Sequence, residues 1–486
     1  MTTYETVIGL EFHAELRTKT KLFCGCSTEF DAAPNTQVCP GCLGLPGTLP
    51  VLNQEAVEMA VIAGLALNCH IAPYSAFDRK NYFYPDLPKA YQISQFYLPI
   101  CIEGHLLIED DQGKEKTVRI NRIHIEEDAG KLVHSGDSIL SSQYSLADYN
   151  RGAIPLIEIV TEPDLRSARE AKDFAEQLKL ILSYTGVSDV KMEQGSLRCD
   201  ANISLRPIGS TTLGAKTEIK NLNSFRALFK AIQYEESRQA AVLEQGGKID
   251  QATLAWDEAK GQTVLMRSKE DAQDYRYFPD PDLPPIHVDA SWLEAIKTRL
   301  PELPGPRRSR LMEKWQLSQY DADLLVANTL LADYFDQVTA KLPAAKLVAN
   351  WLLGDISRLL NVNPEWKNIP ISADDFVQLL EEVQSGRLSN NLAKEVLAEM
   401  AESGQSPKSI IQAKGWEQIS DSDALQALVE EVVAANFSAV DDYRQGKKQA
   451  LGFLIGQVIQ KSKGKANPQL AREILQKVLA NTSIQA

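Results

Sequence analysis

Short runs of alternating apolar and polar residues recur along the first 300 positions: Val7–Glu15, Val118–Glu127, Ile154–Val160, Leu197–Leu205 and Thr217–Leu222. Side chains on a strand point alternately to two faces, so these runs predict a mostly antiparallel sheet. Turn-rich segments separate them, and 18 of the 23 prolines lie at or before Pro306. At least three helices interrupt this region. The clearest is Ser167–Thr185, with Ser167 and Glu170 in capping-box spacing, an apolar stripe through Phe174, Leu178, Ile181 and Leu182, and Gly186 as its stop. The spacer PELPGPRR (301–308) reads as a linker. Beyond it the period becomes helical, as in Phe376, Leu379, Leu380, Val383 and in Leu392, Val396, Leu397, Met400. The pattern therefore predicts an α+β part followed by an all-helical C-terminal third, without internal repeats.

Length and composition sharpen this picture. A chain of 486 residues exceeds what one core serves, so two or three domains are expected. The N-terminus lacks a basic segment followed by an apolar run, and no stretch approaches 18 uncharged apolar residues, which points to a cytoplasmic protein without a membrane span. Four of the seven cysteines crowd into residues 24–42, a pattern suited to a metal site in a reducing compartment. The net charge of −14 argues against a general nucleic-acid coating protein. From Tyr443 to Ala486, however, eight Lys and Arg face one acid, a local +7. Lysine clusters flanking an apolar helix face (Leu451, Leu454, Val458) are the footprint of a phosphate-backbone contact, although ordinary helix-surface lysines also fit.

Several constellations carry candidate chemistry. In VIGLEFHAE, alternation puts Glu11 and His13 on one face, opposite Ile8, Leu10 and Phe12; they could share a ligand, or form the wet face of an edge strand. In IHIEEDAGK, Ile123, Ile125 and Glu127 share one face while His124 and Glu126 share the other. The acids there suit Mg²⁺, and a solvated charge run is the alternative. Glu158 lies within a run apolar on both faces, so its carboxylate needs a cation or a strong donor. Cys24, Cys26, Cys39 and Cys42 offer four thiolates to one structural Zn²⁺. Basic and aromatic loops contribute Arg79, Lys80, Lys220, Arg267 and Arg276 for phosphates, and Tyr82 with its neighbours for stacking. Neither a Walker A motif nor a glycine-rich dinucleotide loop is present.

These segments together resemble the B subunits of the tRNA-dependent aspartyl/glutamyl amidotransferases. The resemblance rests on VIGLEFHAEL, PNTQVCPGCLGLPGTLPVLN, FDRKNYFYPDLPKAYQISQ, HIEEDAGK, NRGAIPLIEIVTEPD, GVSDVKMEQGSLRCDANIS, KTEIKNLNSF, DYRYFPDPDLPP and DYRQGKKQALGFLIGQVIQKSKGKANP, and runs essentially end to end. It implies a catalytic domain over 1–292 with a fold like that of glutamine synthetase and a zinc-binding insert at 24–42. A helical domain over 293–405 and a helical basic tail over 406–486 would follow. It implies ATP-dependent phosphorylation of the side-chain carboxylate of Glu on tRNA-Gln, or of Asp on tRNA-Asn, and displacement of the phosphate by ammonia. Glu11, His13, Glu127 and Glu158 match the family's metal site for Mg²⁺, with Mn²⁺ as an alternative occupant. Lys447, Lys448, Lys461, Lys463 and Lys465 become tRNA contacts. Ammonia would come from an amidase partner, the A subunit, braced by a small C subunit, since this chain lacks an amidase Ser-Ser-Lys segment. Two other readings compete: a ligase acting on free glutamate, and a zinc-bearing tRNA-binding module without catalysis.

Overall fold

The computed structural model describes residues 4–135, 142–268, 274–416, 422–447, 449–462, 466 and 468–481. The chain divides into two compact units, Met1–Pro304 and Gly305–Ala486. The first is built on a nine-stranded sheet: β1 (Tyr4–Glu15), β2 (His70–Ile71), β3 (Cys101–Glu109), β4 (Glu115–Glu127), β5 (Pro155–Thr161), β6 (Leu197–Pro207), β7 (Thr217–Lys220), β8 (Ala252–Asp257) and β9 (Gln262–Ser268). Their spatial order is β9-β8-β7-β6-β1-β5-β4-β3-β2, so the N-terminal strand lies at the centre. All five strands predicted from alternation are present.

One pairing departs from the antiparallel expectation: β7 and β8 run parallel, with Thr217 opposite Ala252. A parallel pair needs a long crossover, and helix α3 (Phe225–Glu244) supplies it. Helices α1 (Gln54–Ala66) and α2 (Ala168–Thr185) pack with α3 on one face of the sheet. Ile8, Leu10 and Phe12 of β1 point into that core, where the Phe12 and Phe174 rings lie 6.0 Å apart. α2 begins as its sequence dictates, the Ser167 side chain accepting from Glu170 N, and Gly186 ends it in the left-handed conformation. The Glu170 carboxylate departs from the reciprocal box by accepting from Arg166 N at 2.6 Å. Helix α4 (Ala290–Lys297) contributes Ile296 to the same core.

With one face covered by helices, the opposite face collects the polar residues. Glu235 of α3 fixes its far half from beneath: fully buried, it accepts from Thr217 at 2.9 Å and pairs with Arg238 at 2.6 Å. Removing one partner of a buried ion pair costs about 3–5 kcal/mol. Glu235→Ala is therefore expected to lower the urea midpoint markedly, and an unchanged midpoint would show that the network carries no stability.

The second unit is helical throughout its described residues. The expected linker is partly helix, since Pro304–Trp315 is helical and Arg307 within it is buried against Asp333 (2.7 Å) and Asp336 (2.6 Å). Proline is tolerated there because first-turn amides have no intrahelical acceptor. Helices at Ala373–Gln384 and Asn390–Ser403 match the predicted periodic segments. Near the C-terminus, helices at Ser422–Ala435, Gln449–Lys461 and Pro468–Asn481 pack around Val429, Leu454, Val458 and Leu475. No helix among the described residues is long and apolar enough to cross a membrane.

Candidate active site and zinc centre

Strand register assembles the site. His13 lies opposite Glu158 on one side and Arg198 on the other, and Glu158 lies opposite His124, so four side chains form one row across β4, β5, β1 and β6. A parallel row, two residues along, runs Arg122, Val160, Glu11 and Asp200. Both rows point to the face away from the helical core, and His124, Glu158 and His13 of the first with Arg122, Glu11 and Asp200 of the second line a cavity of about 230 Å³.

Two groups of side chains that could hold a cation stand there. His13, Glu126 and Glu158 have ligand atoms within 4.8 Å of one another, as do Glu11, Asp200 and Glu218. In the first group, His13 Nε2 is 3.5 Å from both Glu126 and Glu158, and His124 Nε2 is 3.3 Å from Glu158. Burial penalises the charged forms, yet the surrounding charges outweigh it: His124 and His13 hold the Glu158 carboxyl well below its usual range. Against the same burial, Glu158 and Glu126 raise His124 to about 9. In the second group, burial together with Glu158 and Glu218 pushes the Glu11 carboxyl upward. Lys220 spans this group, 2.6 Å from Asp200 and 2.9 Å from Glu218. Oxygen-rich sets with few imidazoles suit Mg²⁺ or Mn²⁺.

The four cysteines converge separately. Cys24, Cys26, Cys39 and Cys42 sulfurs lie within 4.8 Å of one another, and a tetrahedral ZnS₄ centre with 2.3 Å bonds has S···S edges of about 3.8 Å. Cys39 N donates to Cys42 Sγ at 3.1 Å, and the wholly buried Lys21 places its Nζ 3.8 Å from the same sulfur. A hydrogen bond from Cys24 holds the Cys42 thiol down, to about 4. The donor set fits structural Zn²⁺. Its loop is tied to the segment entering β5: Asn35 accepts from Tyr149 N at 2.8 Å, and Gln37 N donates to Asn150 at 2.8 Å.

Against this geometry stand the comparisons with known proteins. Residues 6–294 match the family model described as the GatB/GatE catalytic domain, and residues 333–479 match the GatB domain. The B subunit of the aspartyl/glutamyl-tRNA(Asn/Gln) amidotransferase of Moorella thermoacetica is 55% identical over 477 residues, covering 98% of this chain and 100% of that one. The protein of that name from Carboxydothermus hydrogenoformans is 53% identical over 481 residues, covering 99% and 100%. The chain belongs to the GatB family.

The family assignment leaves the placement of each expected residue to the geometry. Of the expected metal set, His13 and Glu158 stand together, while Glu11 joins the neighbouring group with Asp200 and Glu218. Glu127 is turned away. Its carboxylate pairs with Lys89 and accepts from Ile93 N at 2.9 Å, and Glu126 occupies the place expected of it. The reason is alternation: Ile123 and Ile125 are buried in the helical core, so Glu126, not Glu127, shares the face of His124.

Among the loop residues, Lys80, Lys220 and Arg267 line the cavity. Arg79 does not, being engaged with Asp280 (2.8 Å) and Asp282 (2.7 Å) and stacked 4.2 Å over Tyr91. Tyr82 packs against Tyr275 at 5.9 Å, and Arg276 sits in a turn at positive φ with its amide on Asp274; neither lines the cavity. Sequence reasoning passed over Asp200, Glu218 and Arg122, and named Glu126 only among the acids suited to Mg²⁺ on the face of His124. The alternation that exposed Lys220 also exposes Glu218, two residues before it. In the tail, Lys447 pairs with Asp442 and Lys461 with Glu431, while Lys448, Lys463 and Lys465 lie outside the described residues.

Proposed function

We propose that this chain is the ATP-using component of a tRNA-dependent amidotransferase. It would phosphorylate the side-chain carboxylate of Glu on tRNA-Gln or Asp on tRNA-Asn, and direct ammonia onto the acyl phosphate. The observation that carries this reading is the pair of cation-ligand groups on one sheet face, His13–Glu126–Glu158 beside Glu11–Asp200–Glu218, bordered by Lys80, Lys220 and Arg267. A carboxylate resists ammonia until one of its oxygens becomes a leaving group, so activation comes first. The two groups would hold divalent ions, which would supply positive charge against that of the transferred group.

The chain's own residues do the positioning. His13, Glu126 and Glu158 would hold one cation and Glu11, Asp200 and Glu218 a second. Lys220, now paired with Asp200 and Glu218, would offer its ammonium to phosphate oxygens. Cys24, Cys26, Cys39 and Cys42 would hold Zn²⁺, which would supply a cross-link and no chemistry. Ammonia would come from the amidase (the A subunit), with the small C subunit completing the complex. The test is ATP hydrolysis by the co-expressed complex, which should depend on misacylated tRNA; hydrolysis indifferent to tRNA would refute the reading.

Lysines of the C-terminal unit would contact the tRNA backbone. Replacing Lys461, Lys463 and Lys465 by Gln is expected to weaken tRNA binding. The slope of log K against log salt should fall by roughly 2–3, since each phosphate contact contributes about 0.7–0.9. An unchanged slope would show that these lysines do not touch phosphates. A ligase acting on free glutamate would turn over unaltered without this tail, which separates the second reading from the first.

A further inference from the structure

Arg122 stands in the cleft with most of its donors unspent. It projects from β4 onto the cavity face, in the row where Val160 separates it from Glu11 and Asp200. Its Nε is buried without a hydrogen-bond partner. Its hydrogen bond, from Nη1 to Asn121 Oδ1, is long at 3.4 Å. Of the other basic groups nearby, Lys220 is held by Asp200 and Glu218, Arg198 by Asp128 at 2.7 Å and Arg267 by Thr253 at 3.2 Å, while Lys80 lies over the Tyr82 and Tyr275 rings. Among the described residues no carboxylate lies within ion-pair reach of Arg122, although the cavity it lines is rich in them. Guanidinium carries five donors in a planar fork suited to phosphate oxygens. Leaving most of them unspent in a partly buried position is costly unless an anion arrives.

We infer that Arg122 is a catalytic residue that binds the phosphoryl group in flight. The inference rests on the phosphoryl transfer proposed above and adds a residue to it. The substrate carboxylate oxygen forms a bond to the γ-phosphorus as the bond from that phosphorus to the ADP bridging oxygen breaks. The electron pair leaves on ADP, and no proton moves in this step. Charge spreads over the three equatorial oxygens of the transferred group. In strand register Val160 stands between Arg122 on one bank and Glu11 with Asp200 on the other. A phosphoryl group seated there would meet cations held by the carboxylates on one side and the guanidinium fork on the other. Arg122 would then keep the acyl phosphate in place until ammonia arrives.

The experiment compares wild type, Arg122→Ala and Arg122→Lys in the co-expressed complex, with two readouts. The first is the kcat of ADP formation with misacylated tRNA. The second is the affinity for ADP with Mg²⁺, with and without aluminium fluoride, which mimics the planar phosphoryl group. Arg122→Ala should lower kcat by about 10²-fold or more, by analogy with other phosphoryl-contacting arginines. It should leave affinity for ADP alone within threefold of wild type and abolish the gain from aluminium fluoride. Arg122→Lys should recover part of both, since a point charge replaces a fork. A kcat within threefold of wild type and a retained aluminium fluoride gain in Arg122→Ala would overturn the inference. So would parallel loss of ADP affinity and melting temperature, which would mark a structural role. If wild type itself forms no tRNA-dependent ADP, the proposed function falls, and the inference with it.

Discussion

Glu126→Gln is expected to reduce tRNA-dependent ATP hydrolysis by about 10²- to 10³-fold, whereas Glu127→Gln should leave the rate per folded molecule nearly unchanged. Charge stabilisation by a bound cation is worth several kcal/mol, and each 1.36 kcal/mol is tenfold in rate. Glu126 is 3.5 Å from His13 and completes the first ligand group. Glu127, on the opposite face, neutralises Lys89 and accepts from Ile93 N. Its replacement removes one partner of a largely buried pair, a loss of about 3 kcal/mol of stability. Activity and urea denaturation of both variants, with Mn²⁺ titration monitored by its paramagnetic resonance, would separate the effects. Full Mn²⁺ affinity in Glu126→Gln, or its loss in Glu127→Gln, would reverse the ligand assignment.

The second large effect concerns the cysteine cluster. Cys39→Ser should lower zinc affinity by about 10²- to 10³-fold, which by mass action removes roughly 3–4 kcal/mol of stability when zinc is abundant. Residual amidation should survive, because the loop touches the site indirectly. Its bonds from Asn35 and Gln37 reach Tyr149 and Asn150, ahead of the strand that carries Glu158, and Lys21 adds one from its Nζ to Tyr149 O at 3.0 Å. Metal analysis and thermal melting would check this. Zinc-free wild-type protein, or complete inactivation of a folded Cys39→Ser variant, would contradict it.

Much of this was legible from alternation alone. It located β1, β4, β5, β6 and β7 and their polar faces, because a strand covered by helices on one side must segregate its residues. It did not disclose strand order, which decides that Glu11 faces Asp200 and Glu218 while His13 faces Glu158. Glu127 came from the family resemblance, whereas alternation already set Glu126 on the face of His124, where it stands with His13 and Glu158. Arg79 shows the limit of residue type, since a guanidinium in an aromatic loop serves Asp280 and Asp282 as readily as a phosphate. The parallel β7–β8 pair was hidden because the strands are short and the helix between them reads the same in either topology. The four cysteines were legible because they come as two closely spaced pairs, Cys24 with Cys26 and Cys39 with Cys42, a pattern suited to one metal.

The most direct test of the proposed reaction is to trap its activated intermediate. The co-expressed complex, ATP, Mg²⁺ and Glu-tRNA-Gln or Asp-tRNA-Asn would be incubated with hydroxylamine in place of an ammonia source, and tRNA-bound hydroxamate and ADP would be measured together. One hydroxamate per ADP is expected, both dependent on the misacylated tRNA and both lost in Glu126→Gln. Amidation that proceeds without ATP, or ADP formed without hydroxamate on the tRNA, would contradict acyl-phosphate activation at this site.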